Sequence, residues 1–248
     1  LTFQRNIKNL RDNNFFWIHY MDAHTPYAPP KEYLRNLKLS TSIARLNLLT
    51  HKDPTNITKK ELEDLKKLYA RSLGYIDDQI KSLFLMIPEK ERQDSVFIIT
   101  SDHGEEFKEH GGITHFAKFY EENIHVPLII YGNKIPCQVI EDIMSTQSTP
   151  DMIEAIASSD RLDYKKFTRE EAKGACTYKK STNDFEDRTN DKGEHLITKY
   201  VRTKKHKLIF DQKTGYTLLS CKKNSEKILD IKRHRKLFTA LKTKLPQP

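Results

Sequence analysis

Residues 95–100, Ser-Val-Phe-Ile-Ile-Thr, narrow the fold more than any other stretch of the sequence. A run this short and this apolar reads as a strand covered on both faces. It passes directly into Ser101-Asp102-His103-Gly104-Glu105. Two other runs share its texture: Phe-Phe-Trp-Ile-His-Tyr at 15–20, and Val-Pro-Leu-Ile-Ile-Tyr at 126–131, closed by Gly132. A long helical pattern separates the first two. Thr58 with Glu61 three residues on is a capping box. Leu62, Leu65, Leu68, Leu73, Ile76, Ile80 and Leu83 then recur at helical spacing, and Pro88 stops the helix. A second helix is expected over 149–157, whereas 31–57 shows no strong period. Strands alternating with helices predict an α/β fold with a largely parallel sheet.

The texture changes toward the carboxyl end. Residues 160–194 are polar and aperiodic, which predicts a loop or insertion. Segments 196–202, 207–211 and 215–219 then read as short strands of a small antiparallel sheet, followed by a basic amphipathic helix from about Ser225 to Leu245. The expected division is 1–160, 161–194 and 195–248. Charge follows it. Residues 161–248 hold 24 basic and 11 acidic side chains, a balance of +13, against 19 and 23 in residues 1–160. Such a region attracts polyanions. With no nucleic-acid motif to sharpen it, it reads as a solvated lysine-rich surface.

No apolar run approaches the roughly 18 residues of a membrane span. Cys137, Cys176 and Cys221 stand far apart, which excludes a cysteine zinc cluster and a disulfide-dense scaffold. The chain opens at Leu1 in polar sequence, so it is expected to be a fragment, and the compartment stays open.

Three places carry chemistry. Asp102 and His103 follow a buried strand, where open α/β sheets place their sites. They can share a divalent cation if the chain already turns at Asp102, because neighbours on an extended strand point oppositely. The alternative is a helix N-cap aspartate beside a surface histidine. His24 lies in Asp22-Ala23-His24-Thr25-Pro26-Tyr27, a proline-stiffened loop, and can donate a proton or bind an anionic oxygen. Residues 109–122, with His110, Gly111, Gly112, His115 and Lys118, form a mobile loop that can offer positive charge to a phosphate or sulfate, or a solvated charged loop.

Several of these segments resemble sulfatases of the alkaline phosphatase superfamily. His-Tyr-Met-Asp-Ala-His-Thr-Pro-Tyr at 19–27 is similar to that family's His-Thr-Pro-Tyr segment. Residues 68–84 resemble the helix before its metal-binding strand, and Ile-Ile-Thr-Ser-Asp-His-Gly-Glu at 98–105 resembles its most diagnostic motif. Residues 120–130 match the segment that follows, 145–156 more weakly a helix region, and 201–209 with 218–230 the small carboxyl-terminal sheet. The resemblance implies an alkaline phosphatase-like sandwich with a largely parallel sheet, plus a small carboxyl-terminal antiparallel sheet and helix. It implies Asp102 and His103 as metal ligands, and His24 and His115 acting on the substrate. Lys118 is the substrate-binding substitute for His115, and Asp77 and Asp78 are surface or capping residues. One ion is implied, Ca2+ ahead of Mg2+ or Mn2+, with an anionic sulfate or phosphate monoester as substrate.

One departure is decisive. The family's Cys-or-Ser-x-Pro-x-Arg nucleophile motif and its first acidic ligand pair have no counterpart here; Cys176 is followed by Thr177-Tyr178-Lys179. The expectation is a sulfatase-like hydrolase segment whose nucleophile lies in a missing amino-terminal part, inactive by itself. A phosphodiesterase or a phosphoethanolamine or phosphoglycerol transferase of the same superfamily is the first alternative. A noncatalytic polyanion-binding module is the second.

Overall fold

The computed structural model describes residues 14–52, 56–115, 118–133, 135–158, 162–179, 195–222 and 225–247. Its contacts divide the chain into two units. The first comprises Leu1–Ile99, Glu106–Thr114 and Ile129–Asn133; the second comprises Thr100–Glu105, His115–Leu128 and Lys134–Pro248. These borders cut across the division at residue 160 read from the sequence. No helix of the described residues is long and apolar enough to cross a membrane.

The first unit is organised by helices α1 (Ile43–Lys52) and α2 (Lys59–Met86). Thr58 caps α2 as expected: its hydroxyl accepts the Glu61 amide proton while the Glu61 carboxylate accepts that of Thr58. Leu65 and Leu68 project from one face of α2 and pack with Leu46, Tyr27, Phe107 and Ile113. The helix excursion at 43–52, unforeseen in the sequence, is therefore part of a core. Strand β1 (Val96–Thr100) pairs with β4 (Leu128–Gly132), and Phe84, Phe97 and Tyr131 stack around that pair. Between them in sequence, β2 (Glu106–Phe107) and β3 (Ile113–Thr114) form a short antiparallel hairpin.

Residues 15–20 depart from expectation. They form no strand, and Phe15 and Trp17 are 66% and 73% exposed. A strand exists only where a partner accepts its ladder hydrogen bonds, and none is paired with this segment among the described residues.

In the second unit, β5 (Ile143–Met144) pairs with β6 (Thr168–Arg169), and α4 (Thr149–Ser158) matches the helix expected there. A five-stranded antiparallel sheet follows, ordered β11-β10-β9-β8-β7. Its strands are β7 (Glu171–Lys179), β8 (His195–Thr203), β9 (His206–Asp211), β10 (Gly215–Lys222) and β11 (Ser225–Ile228). Two expectations are corrected here. Residues 168–179, read as loop, hold β6 and β7; their polarity reflects an edge strand whose residues 173, 175 and 177 face solvent while 172, 174 and 176 face inward. Residues 180–194 of that expected loop lie outside the described residues. The final helix, α5 (Arg235–Lys242), is much shorter than 225–245, because Ser225–Ile228 continues the sheet by pairing with β10.

Both faces of this sheet are covered. Val201, Leu208 and Leu218 form a cross-strand row under Leu241 and Phe238 of α5. Ile209, Leu219 and Cys221, one residue out of phase, pack with Phe119 and Tyr120. The period of two along each strand sends alternate side chains to opposite faces.

Candidate active site

Asp102 sits where the chain turns immediately after β1. The His103 amide donates to Asp102 Oδ1 at 3.0 Å, and the Ser101 hydroxyl donates to the His103 carbonyl at 2.6 Å. This turn meets the condition under which neighbouring residues can reach one ion. His103 Nδ1 bonds to the Gly104 carbonyl at 3.0 Å, which leaves Nε2 as the donor nitrogen. Nε2 lies 3.7 Å from Asp102 Oδ2. Two ligands each about 2.0–2.6 Å from a shared ion span such a gap, so this pair fits the divalent cation the sequence implies. The Asp102 side chain is 71% exposed, open to approach from solvent.

Gly104 follows for a steric reason. A Cβ on it would stand 2.0 Å from the Glu122 carbonyl oxygen, while its own amide donates to the Asn123 carbonyl at 2.9 Å. Only a bare α-carbon permits that approach. The glycine therefore ties the Asp102–His103 turn to helix α3 (Glu121–Ile124).

His115 joins the same cluster. Its ring stacks on that of His103 at 4.0 Å between centroids, and its Nδ1 lies 2.6 Å from Glu105 Oε1. The register Glu106↔Thr114 in the β2–β3 hairpin makes Glu105 and His115 the next residues in line, which explains their meeting. The Glu105 carboxylate raises the His115 pKa above its usual value, against the opposing effect of burial. Glu105 was not singled out in the sequence; its signal was its place directly after the Asp-His-Gly turn. His103, Glu105 and His115 each place one donor atom within 4.8 Å of the others'.

Lys118 follows in the same unit, its carbonyl accepting from the Asn123 side chain at 3.2 Å. The loop that carries it is anchored at Glu121. Arg202 grips that carboxylate with two nitrogens, at 2.9 and 3.2 Å, and the Lys207 ammonium approaches it at 2.9 Å. Lys207 also pairs with Glu226 at 2.5 Å, and Glu226 accepts the Glu121 amide proton at 3.1 Å. Phe119 packs on Tyr200 at 4.6 Å. Carboxyl-terminal strands thus hold the segment from Lys118 to Glu121.

His24 belongs to the first unit. Its loop is secured by Tyr27, fully buried against Tyr69 at 5.2 Å and Phe107 at 6.2 Å. The Asn47 side chain accepts from the Tyr27 amide at 2.8 Å and donates to its carbonyl at 3.0 Å. His24 Nδ1 contacts the Thr25 carbonyl at 2.5 Å, so Nε2 is the nitrogen suited to exchange a proton with a substrate. Asp78 accepts from the Tyr33 hydroxyl at 2.7 Å, a structural contact. Burial raises the Cys176 thiol and pushes Cys221 up to about 12, so neither supplies a ready thiolate.

Comparison with known proteins supplies the context. A family model of the sulfatases matches residues 2–159. Among solved structures, the chain is similar to a 2-O GAG sulfatase, with 15% identity and a TM-score of 0.55 over 89% of this chain and 50% of that one. It is also similar to the phosphonate monoester hydrolase of Agrobacterium radiobacter, with 17% identity and a TM-score of 0.52 over 72% of this chain and 37% of that one. The likeness is one of fold, an α/β fold of the alkaline phosphatase type. The chain spans half or less of the length of these two structures. No curated protein matches it.

Proposed function

The chain belongs to the sulfatase family, and on that premise we propose that it carries part of the active site of a cation-dependent hydrolase of sulfate or phosphate monoesters. The observation that supports this reading is the turn after β1, with Asp102 Oδ2 and His103 Nε2 3.7 Å apart and His115 stacked on His103. A divalent ion, when bound, polarises a nonbridging ester oxygen and offsets charge that develops on it. Asp102 contributes countercharge and His103 a neutral nitrogen. With only one histidine beside the carboxylate, this set favours Ca2+, then Mg2+ or Mn2+.

The remaining residues act on the ester. His115, held by Glu105, keeps a proton and presents positive charge to the peripheral oxygens. Lys118 adds fixed charge toward the same oxygens. His24 donates the proton that the leaving alkoxide needs. The nucleophile and further acidic ligands are assigned to a segment of the same protein outside these residues, since no cysteine here has the required sequence context. The β1–β4 pair is a piece of a larger, mostly parallel sheet; the exposed Phe15, Trp17, Ile129 and Tyr131 support that extension. The similarity to a 2-O GAG sulfatase and to a phosphonate monoester hydrolase makes sulfated glycosaminoglycans and phosphonate monoesters the first substrates to assay.

The test is Asp102→Asn in the intact protein. Bound divalent metal and hydrolysis of an aryl sulfate or phosphate should both fall sharply. Retention of both at wild-type levels overturns the assignment.

A further inference from the structure

We propose that the cleft between residues 36–38 and helix α2 is a noncatalytic binding site for a sulfated saccharide unit, built from residues that take no part in the site after β1. The choice of ligand rests on the hydrolase reading above; the cleft itself does not. It has a volume of about 460 Å3 and is lined by Asn36, Leu37, Lys38, Lys67, Ala70 and Arg71. That volume falls in the range of small-ligand sites. The lining holds three cations and no carboxylate. Yet residues 1–160 as a whole carry 19 basic and 23 acidic side chains. The positive lining is therefore a local feature, not an extension of the lysine-rich carboxyl-terminal region.

The walls of the cleft are held by the protein's own contacts. Asn36 has a φ of +61°, a left-handed turn that carries the chain across α2. The Leu37 amide donates to the Leu34 carbonyl at 3.1 Å, and Leu37 packs against the core of the first unit. The Ser40 amide and hydroxyl both donate to Asp64 Oδ2 at 2.5 Å, and Lys67 Nζ lies 2.9 Å from Asp64 Oδ1. Buried Asp64 thus clamps the segment to α2 and offsets the charge of Lys67. Lys38 and Arg71 are exposed and form no ion pair among the described residues. Arg71 stands four residues after Lys67, so both lie on one face of the helix. Two uncompensated cations beside the apolar carbons of Leu37 and Ala70 suit a ring with an apolar face and an anionic substituent. A sulfated sugar carries both. The Arg71 guanidinium can give two parallel N–H bonds to sulfate oxygens, and Lys38 supplies a point charge.

The test is calorimetric titration of the intact protein, carrying Asp102→Asn to prevent turnover, with a heparin hexasaccharide. Adding Lys38→Gln and Arg71→Gln together should weaken binding by about tenfold or more. Adding Lys232→Gln and Arg233→Gln instead makes the same charge change in the carboxyl-terminal region and should leave affinity nearly unchanged. The chemically desulfated hexasaccharide should bind as weakly to the unaltered cleft as heparin does to the Lys38 and Arg71 variant. Far-ultraviolet circular dichroism checks that each variant is folded. Equal losses in the two double variants overturn the site, because charge alone then governs binding. Equal affinity for the desulfated sugar overturns the sulfate assignment. Tighter binding of a short single-stranded RNA, lost with Lys38 and Arg71, gives the cleft to nucleic acid and overturns the saccharide. Cleft-dependent binding with no ester turnover by the protein bearing Asp102 leaves this inference standing and removes the hydrolase reading. Turnover without cleft-dependent binding removes this inference alone.

Discussion

Lys207 Nζ lies 2.9 Å from Glu121 Oε1 and 2.5 Å from Glu226 Oε1, and none of the lysine side chain is exposed. A cation from strand β9 thus closes a buried network on the helix that follows His115 and Lys118. Lys207→Met preserves the aliphatic stem but removes the ammonium from between two carboxylates, of which Glu121 keeps its Arg202 partner. Removing one partner of a buried pair costs about 3–5 kcal/mol. Urea unfolding should show a loss near the lower end, because Arg202 still compensates Glu121. A midpoint unchanged from wild type would mean that desolvation already cancels the attraction.

Acid should unfold the protein through identifiable carboxylates. Burial pushes the Glu121 pKa upward, but Arg202 and Lys207 outweigh it and hold it at about 2. Hydrogen bonds from the Ser40 hydroxyl and amide, with Lys67, hold Asp64 at about 2. Both folded values lie below the ordinary carboxylate value of about 4. Their stabilisation is therefore fully present above that value and is lost as pH falls toward 2. Melting temperatures measured from pH 5 to about 2 should drop steeply in wild type and less steeply in Glu121→Gln or Asp64→Asn. Parallel acid limbs in wild type and both variants would assign the transition to other groups.

Gly104→Ala places a methyl carbon where the Glu122 carbonyl oxygen stands, 2.0 Å away. The turn must move off α3, at a cost of about 1–3 kcal/mol. His103 moves with it, so divalent-metal affinity should fall together with the melting temperature. Gly111→Ala is the contrast: its φ of +82° strains an alanine but no atom lies within 4 Å of the added carbon. That variant should lose about 1 kcal/mol with metal affinity retained. Equal metal affinity in both variants would show that the Gly104 contact does not position His103.

Asn47 secures the His24 loop through both backbone groups of Tyr27. Asn47→Ala removes both of these buried hydrogen bonds and should cost about 1–3 kcal/mol in chemical denaturation. If the proposed function holds, His24→Ala in the intact protein should lower kcat/KM by about 10²-fold or more with metal content unchanged, the signature of a lost proton donor. Loss of bound metal in His24→Ala would instead place that histidine in the ligand shell.

The sequence by itself determined what depends on neighbours along the chain. Thr58 and Glu61 fix the start of α2 because a capping box closes within three residues, and the apolar period carries the helix to Met86. The run at 95–100 and its Asp-His-Gly ending mark β1 and the candidate ligands, since both strand and turn are local. Strands β8 to β10 were equally legible from alternation and turns. Tertiary structure decided the rest. Phe15–Tyr20 has every local mark of a strand, yet a strand also needs a partner, and sequence texture does not name one. Residues 171–179 lack the apolar marks, yet form β7 because β8 offers them a ladder along its whole length. Glu105 becomes the partner of His115 only through the register of a two-residue hairpin. Lys207 reads as one more surface lysine in a basic region, and only the fold buries it between Glu121 and Glu226. Pairing, register and buried charge are relations between distant residues, so they become visible when the chain has brought those residues together.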